Sequence, residues 1–305
     1  MVSLRVAAAQ YPIDRLANWA AYEAKLSRWV GEAAEAGAHL LVFPEYGAME
    51  LASLDMGSAG ELAASLDAVS ALLPRVDALH ADLARRHRVH ILAATGPRRD
   101  ADGRARNAAR LFAPSGAVGT QDKLVMTRFE REEWSVTGGA GLKLFDTALG
   151  PIGITTCYDV EFPLLARALV EAGAEVLLAP SCTDTLHGYW RVRLGAQARA
   201  LEGQCFVVQA QTVGEAAWSP AVDVNRGAAG VFGPPDGSCD EDGWTMPADG
   251  VIALGEIDRA QWLFSELDLG RIARWRAEGA VLTTRDWRDQ PGAAPLPPVD
   301  VVPLR

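Results

Sequence analysis

One pattern occurs twice in this chain and leaves few folds open to it. Glu35-Ala-Gly-Ala-His-Leu-Leu-Val-Phe-Pro44-Glu45 and Glu171-Ala-Gly-Ala-Glu-Val-Leu-Leu-Ala-Pro180-Ser181 share one design. In each, a helical pattern runs into Gly, which tolerates the left-handed backbone that ends a helix. A short apolar run follows at once and reads as a buried strand. It stops at Pro, which has no N–H to give to a ladder. A polar residue then stands at the strand's carboxyl end. Two αβ units of one design imply two similar sheets packed face to face with helices outside, an α/β four-layer α-β-β-α sandwich. The plainer alternative is that such helix-to-strand turns recur in any Ala-rich α/β chain.

The remaining apolar periodicity agrees with a layered α/β architecture. Strands are expected over Leu4–Gln10, His39–Pro44, Val89–Thr95, Asn107–Ala113, Leu142–Phe145, Pro151–Thr156, Glu175–Ala179, Cys205–Val213, Ala229–Phe232 and Val251–Ile257. Helices are expected over Ala17–Ala36, Val69–Arg88 (interrupted near Pro74), Phe162–Ala172 and His187–Gly203. With 305 residues, 49% of them apolar, the chain can build one sizeable core. The expected organisation is a single domain over residues 1–288. A Pro-rich extension, 289–305, follows as an arm against a neighbour.

Charge narrows the function. The formal net charge is −10, which argues against a nucleic-acid or anionic-membrane binder, since phosphates recruit clustered Lys and Arg. No apolar run approaches the roughly 18 residues of a membrane span. The N-terminal run Val6–Ala9 is too short for the apolar centre of a signal peptide. Cys157, Cys182, Cys205 and Cys239 form no C-x-x-C pair, so reduced thiols and a cytoplasmic location are expected. His87 and His90 could share a helix face, but no Cys, Asp or Glu nearby completes a ligand set; a solvated helix end and no metal are expected. Lysine is scarce: Lys25, Lys123 and Lys143 stand against twenty-six arginines.

Ligands of open α/β sheets gather beyond the carboxyl ends of strands. Glu45 stands at one such end, Cys157 at another, and a loop between them carries Asp122-Lys123-Leu124. Singly, each has a bland reading: a helix-cap neighbour, a surface lysine, a small buried hydrophobe. Together they make chemistry. Cysteine attacks as thiolate and needs a base or a positive field, and no histidine stands in a plausible motif. A carboxylate and a compact ammonium could do that work, and the scarcity of lysine marks Lys123.

Phe43-Pro44-Glu45, Asp122-Lys123-Leu124 and Cys157-Tyr158-Asp159 followed by Phe162-Pro163 resemble, in order and spacing, the three signatures of the nitrilase (carbon–nitrogen hydrolase) superfamily. The resemblance extends over roughly residues 4–260 and includes Arg199-Ala200-Leu201-Glu202. It implies the α-β-β-α sandwich, a Glu45–Lys123–Cys157 triad, no cofactor, and homodimers or higher homo-oligomers formed through helices beside the active-site layer. Many members carry a second glutamate before the next strand. Counting back from Gly139 favours Glu132 and counting forward from Lys123 favours Glu130; Glu132 is preferred and the choice stays open. Cys-Tyr-Asp resembles the amidase and carbamoylase branches, so a small amide or N-carbamoyl substrate cleaved through a thioester is expected. A nitrilase, an acyl transferase and a non-catalytic scaffold are the alternatives. Candidate pocket residues are Tyr46, Trp134, Thr183, Asp184, His187, Tyr189, Trp190 and Trp218, with Thr183-Asp184 foremost for recognition.

Overall fold

The computed structural model describes residues 3–236, 243 and 245–290. Cys239 and residues 291–305 of the expected extension lie outside the described residues. The first half runs β1 (Ser3–Pro12), α1 (Trp19–Glu35), β2 (Leu40–Val42), α2 (Met56–Ala59), α3 (Leu62–His87), β3 (His90–Leu92), β4 (Gly96–Arg99), β5 (Ala105–Phe112) and β6 (Val118–Asp122). Next come α4 (Arg128–Glu132), β7 (Leu144–Thr147), β8 (Gly150–Ile154), α5 (Pro163–Glu171), β9 (Val176–Ser181), α6 (Leu186–Gly203) and β10 (Phe206–Glu215). The rest is β11 (Val224–Asn225), β12 (Gly230–Phe232), β13 (Val251–Leu254), β14 (Gln261–Asp268), α7 (Leu269–Glu278) and α8 (Thr283–Asp286).

Alternating side chains set the layers, because successive residues of a strand face opposite ways. In β1, Ala7, Ala9 and Tyr11 join a core with Leu26, Trp29 and Val30 of α1 and Leu66, Val69 and Leu73 of α3. In β9, Leu177 and Ala179 join a core with Leu169 of α5 and Val192 and Ala196 of α6. The opposite faces meet each other: Val6, Leu40, Val42 and Leu92 pack with Ile152, Ile154, Leu178 and Val208. The result is helices, strands, strands, helices, the sandwich expected.

The two strand layers are not separate sheets. One curled sheet runs β4-β5-β3-β2-β1-β10-β9-β8-β7. β1 is long enough to pair with β2 through Val6–Ala8 and then, at its end, with β10 through Gln10↔Gln211 to Pro12↔Val213. The repeated units do share their geometry. Gly37 and Gly173 have φ of 83° and 115°, and Ala38 and Ala174 N–H donate to Ala33 and Leu169 carbonyls at 3.1 and 2.9 Å.

Other expectations change too. Helix α3 starts at Leu62 and runs unbroken through Pro74. Its buried stripe, Leu66, Val69, Leu73, Val76, His80 and Leu83, keeps helical spacing across the proline, and that packing outweighs one missing N–H. His90 is a buried residue of β3, not part of a solvated helix end. β14 and α7 were not anticipated. β14 pairs antiparallel with β1 from Ser3↔Asp268 to Gln10↔Gln261, with Leu263 and Leu267 against the middle core and Trp262 and Phe264 against the α1/α3 core. Among the described residues no helix is long and apolar enough to cross a membrane.

Candidate active site

Three connections leaving strand ends converge. After β2, Pro44 is followed by Glu45 and by Tyr46 at φ 53°; after β8, Thr155 and Thr156 lead to Cys157 at φ 49°. Left-handed backbone is costly for side chains with a Cβ, of order 1 kcal/mol or more. At both strand ends it turns the chain sharply, and Cys157 opens a 3-10 turn, Cys157–Glu161. Lys123 follows β6 directly, its N–H donating to the Asn107 carbonyl at 2.9 Å. Asp159 ties the second and third connections together: its carboxylate accepts from the N–H groups of Leu124 (3.1 Å) and Val125 (2.8 Å).

Glu45, Lys123, Glu130 and Cys157 are all buried. The Lys123 ammonium lies 2.9 Å from Glu45 Oε1 and 2.6 Å from Glu130 Oε2. Asn107 Nδ2 donates to Glu45 Oε1 at 2.8 Å and Glu130 Oε1 at 3.4 Å, while its Oδ1 accepts from Thr95 Oγ1 at 2.6 Å. The Tyr46 hydroxyl donates to Glu130 Oε1 at 2.6 Å, and the Cys182 N–H donates to Glu45 Oε2 at 3.1 Å. The Cys157 thiol donates to the Cys182 carbonyl at 3.5 Å.

The carboxylate the structure brings to Lys123 beside Glu45 is that of Glu130; the preferred Glu132 lies outside the cluster. Thr127 caps α4 with a capping box: its hydroxyl accepts the Glu130 N–H, and the Glu130 carboxylate accepts the Thr127 N–H at 2.8 Å. Glu130 is thereby fixed on the inward face. Glu132, two residues on, emerges on the far side of the helix, half exposed and paired with Arg128 at 2.8 Å. A Thr-x-x-Glu signal before Lys123's partner was present in the sequence and distinguishes the two.

Burial drives the electrostatics. It pushes the Glu45 carboxyl up to about 7, against the pull of the Lys123 ammonium. Burial also raises the Cys157 thiol well above its ordinary range, and the nearby Glu45 charge adds to this. Glu130 is held below its ordinary value: burial would raise it, but Lys123 and the hydrogen bonds from Tyr46 and Thr127 outweigh that. Lys123 is also buried, yet Glu130 and Glu45 hold its proton well above the ordinary lysine range. The resting site therefore contains a neutral thiol, a firm Lys123–Glu130 ion pair, and a carboxyl at Glu45 that titrates near neutrality.

These groups form the floor of a cavity of about 380 Å³. Of the candidate pocket residues, Tyr46, Trp134, Thr183 and Asp184 line it. His187, Tyr189, Trp190 and Trp218 do not: Tyr189 is buried, Trp190 faces solvent, and Trp218 packs on the α1/α3 core. The Thr183 hydroxyl donates to the Arg226 carbonyl at 2.8 Å, so it braces the wall. Sequence reasoning missed Asn107 and the lining residues Arg128, Glu161, Arg191 and Pro220–Val224. Among the described residues no group of three or more His, Cys, Asp or Glu side chains could hold a metal ion.

The family model described as carbon-nitrogen hydrolase matches residues 5–276. The chain is 30% identical over 285 residues to "Probable hydrolase YhcX" of Bacillus subtilis; this covers 93% of the chain but 54% of that protein, so the chain spans about half of that relative's length. It is 29% identical over 265 residues to a bifunctional nitrilase/nitrile hydratase of Nicotiana tabacum, covering 82% of the chain and 74% of the relative. In fold it is similar to a carbon-nitrogen hydrolase from Helicobacter pylori, with a TM-score of 0.74 at 18% identity and 96% of each chain covered.

Proposed function

The chain belongs to the carbon–nitrogen hydrolase family, and from that premise we propose that it is a thiol hydrolase of small amides or N-carbamoyl compounds. The observation that carries this reading is the buried Glu45–Lys123–Glu130 cluster beside the Cys157 thiol at a cavity floor. Because burial keeps the thiol protonated at rest, the proton leaves as the bond forms. Glu45 takes that proton while Cys157 Sγ attacks the carbonyl carbon. A general base titrating near the working pH suits such a transfer. The oxyanion is met by Lys123 and by the Tyr158 N–H. Two of the three ammonium protons go to Glu45 and Glu130, leaving the third for the substrate. Glu45 then returns the proton to the nitrogen, the C–N bond breaks, and ammonia or an amine departs. Water, deprotonated by Glu45, attacks the thioester and releases the acid and the thiol. Glu130, Asn107 and the Tyr46 hydroxyl hold Lys123 and Glu45 in place.

The test is a panel of small amides, N-carbamoyl amino acids, ω-amides and nitriles assayed for released ammonia. Turnover of amide or carbamoyl compounds is expected; turnover of nitriles alone would overturn the amidase reading. The nitrile arm is included because of the tobacco relative, and added amine nucleophiles report acyl transfer. We further propose a cytoplasmic homodimer of one-domain subunits. Leu186, Trp190, Leu194 and Leu201 leave one stripe of α6 exposed, and Leu164 of α5 adds to the exposed apolar surface.

A further inference from the structure

The charges around the cavity are unequal, and the way they pair indicates what can enter. Its cations are Lys123, Arg128 and Arg191. Each is already engaged: Lys123 with Glu45 and Glu130, Arg128 with Glu132 at 2.8 Å, and Arg191 with Glu161 at 3.3 Å. Two further lining carboxylates, Asp184 after β9 and Asp223 before β11, are exposed, and neither joins an ion pair among the described residues. Asp223 Oδ1 accepts only the N–H of its neighbour Val224, at 3.0 Å. The apolar part of the lining includes Trp134, Val192, Pro220 and Val222.

A carboxylate-bearing substrate would meet Asp184 and Asp223 unscreened, while the charges of Arg128 and Arg191 are already offset by Glu132 and Glu161 beside them. An amine-bearing one meets no such repulsion: its alkyl spacer lies along the apolar lining and its ammonium meets the free carboxylates. We infer that the cavity selects small amides carrying a positive charge at the end remote from the scissile bond, with Asp184 and Asp223 as the specificity residues. This deepens the hydrolase reading and rests on it.

Charge selection is measured without turnover by the labelling of Cys157. Two methanethiosulfonates of similar size, one ending in ammonium and one in sulfonate, are compared at the Cys157 peptide. Each rate is divided by that of the same reagent with 2-mercaptoethanol. The ammonium reagent is expected to be favoured by roughly tenfold or more, as charge-lined clefts concentrate opposite charge. Raising the salt from about 0.02 M to about 0.5 M should shrink the ratio, and Asp184→Asn with Asp223→Asn should bring it towards one in a protein whose melt confirms folding. A ratio at or below one, or one indifferent to the double substitution, overturns the inference. Turnover separates the two readings. If cationic labelling is favoured but no amide is cleaved, the hydrolase reading fails; if amides are cleaved but the carboxylate-terminated one fastest, charge selection fails and the hydrolase stands.

Discussion

Glu45 is held between burial, which favours its neutral form, and Lys123, which favours its charge; burial wins and the carboxyl titrates near 7. In the proposed role of base it must be ionised, so kcat/KM should fall as the pH drops below about 7. Its effect on stability has the opposite sign. A carboxyl whose folded value exceeds its ordinary 4.5 stabilises the fold fully only below about 4.5, and that contribution is lost as the pH rises through 7. Asp159, pushed up to about 6 chiefly by burial, acts in the same direction. Glu45→Gln should therefore be inactive yet melt higher than wild type near pH 8, with the gap closing towards pH 5; melts at the two pH values test this. The two glutamates of α4 give a sharper contrast. Glu130→Gln removes the anion that fixes Lys123 and should lower kcat by about a hundredfold. Glu132→Gln breaks only an exposed pair worth a few tenths of a kcal/mol and should be silent. Lys123→Arg should also lose about a hundredfold in kcat with folding intact, because a planar guanidinium cannot occupy the place of a compact ammonium between two carboxylates.

At the scale of elements, what was legible was local. The apolar run before Pro44 announces β2, and Glu45 follows it; the second run announces β9, which continues through Pro180 to Ser181 instead of stopping at the proline. The capping box that separates Glu130 from Glu132 was also local. The Asn107 bridge was not, since Asn107 and Glu45 are 62 residues apart and meet only when β5 is set two strands from β2, across β3. β14 escaped notice because Trp262, Leu263 and Phe264 put apolar side chains in succession on both faces, which removes the alternation that marks a half-buried strand. Lysine scarcity proved informative twice. Lys25 is buried on α1, where its ammonium meets Glu50 at 2.6 Å and lies 4.1 Å from the Tyr11 ring centroid. Lys25→Arg should consequently lower the melt by an amount equivalent to about 1–3 kcal/mol through overpacking, while the exposed Lys143→Arg melts like wild type.

For the whole molecule, the layer order followed from the repeated helix–strand unit, whereas the curling of two layers into one sheet did not. It depends on Gln10 meeting Gln211, residues that no local pattern connects. The same assembly brings the end of β9 against Glu45, through the Cys182 N–H, so the site exists only once the sandwich has closed. If the α6 stripe is buried between subunits, sedimentation should give twice 32.5 kDa, and Leu194→Glu should shift the protein towards monomer. The central claim is that Cys157 makes and breaks the bond to carbon. The most direct test is ammonia release by Cys157→Ala, with the amide that wild type cleaves fastest, alongside a thermal melt. The expected result is a folded protein with no measurable turnover; activity within about tenfold of wild type would contradict the account.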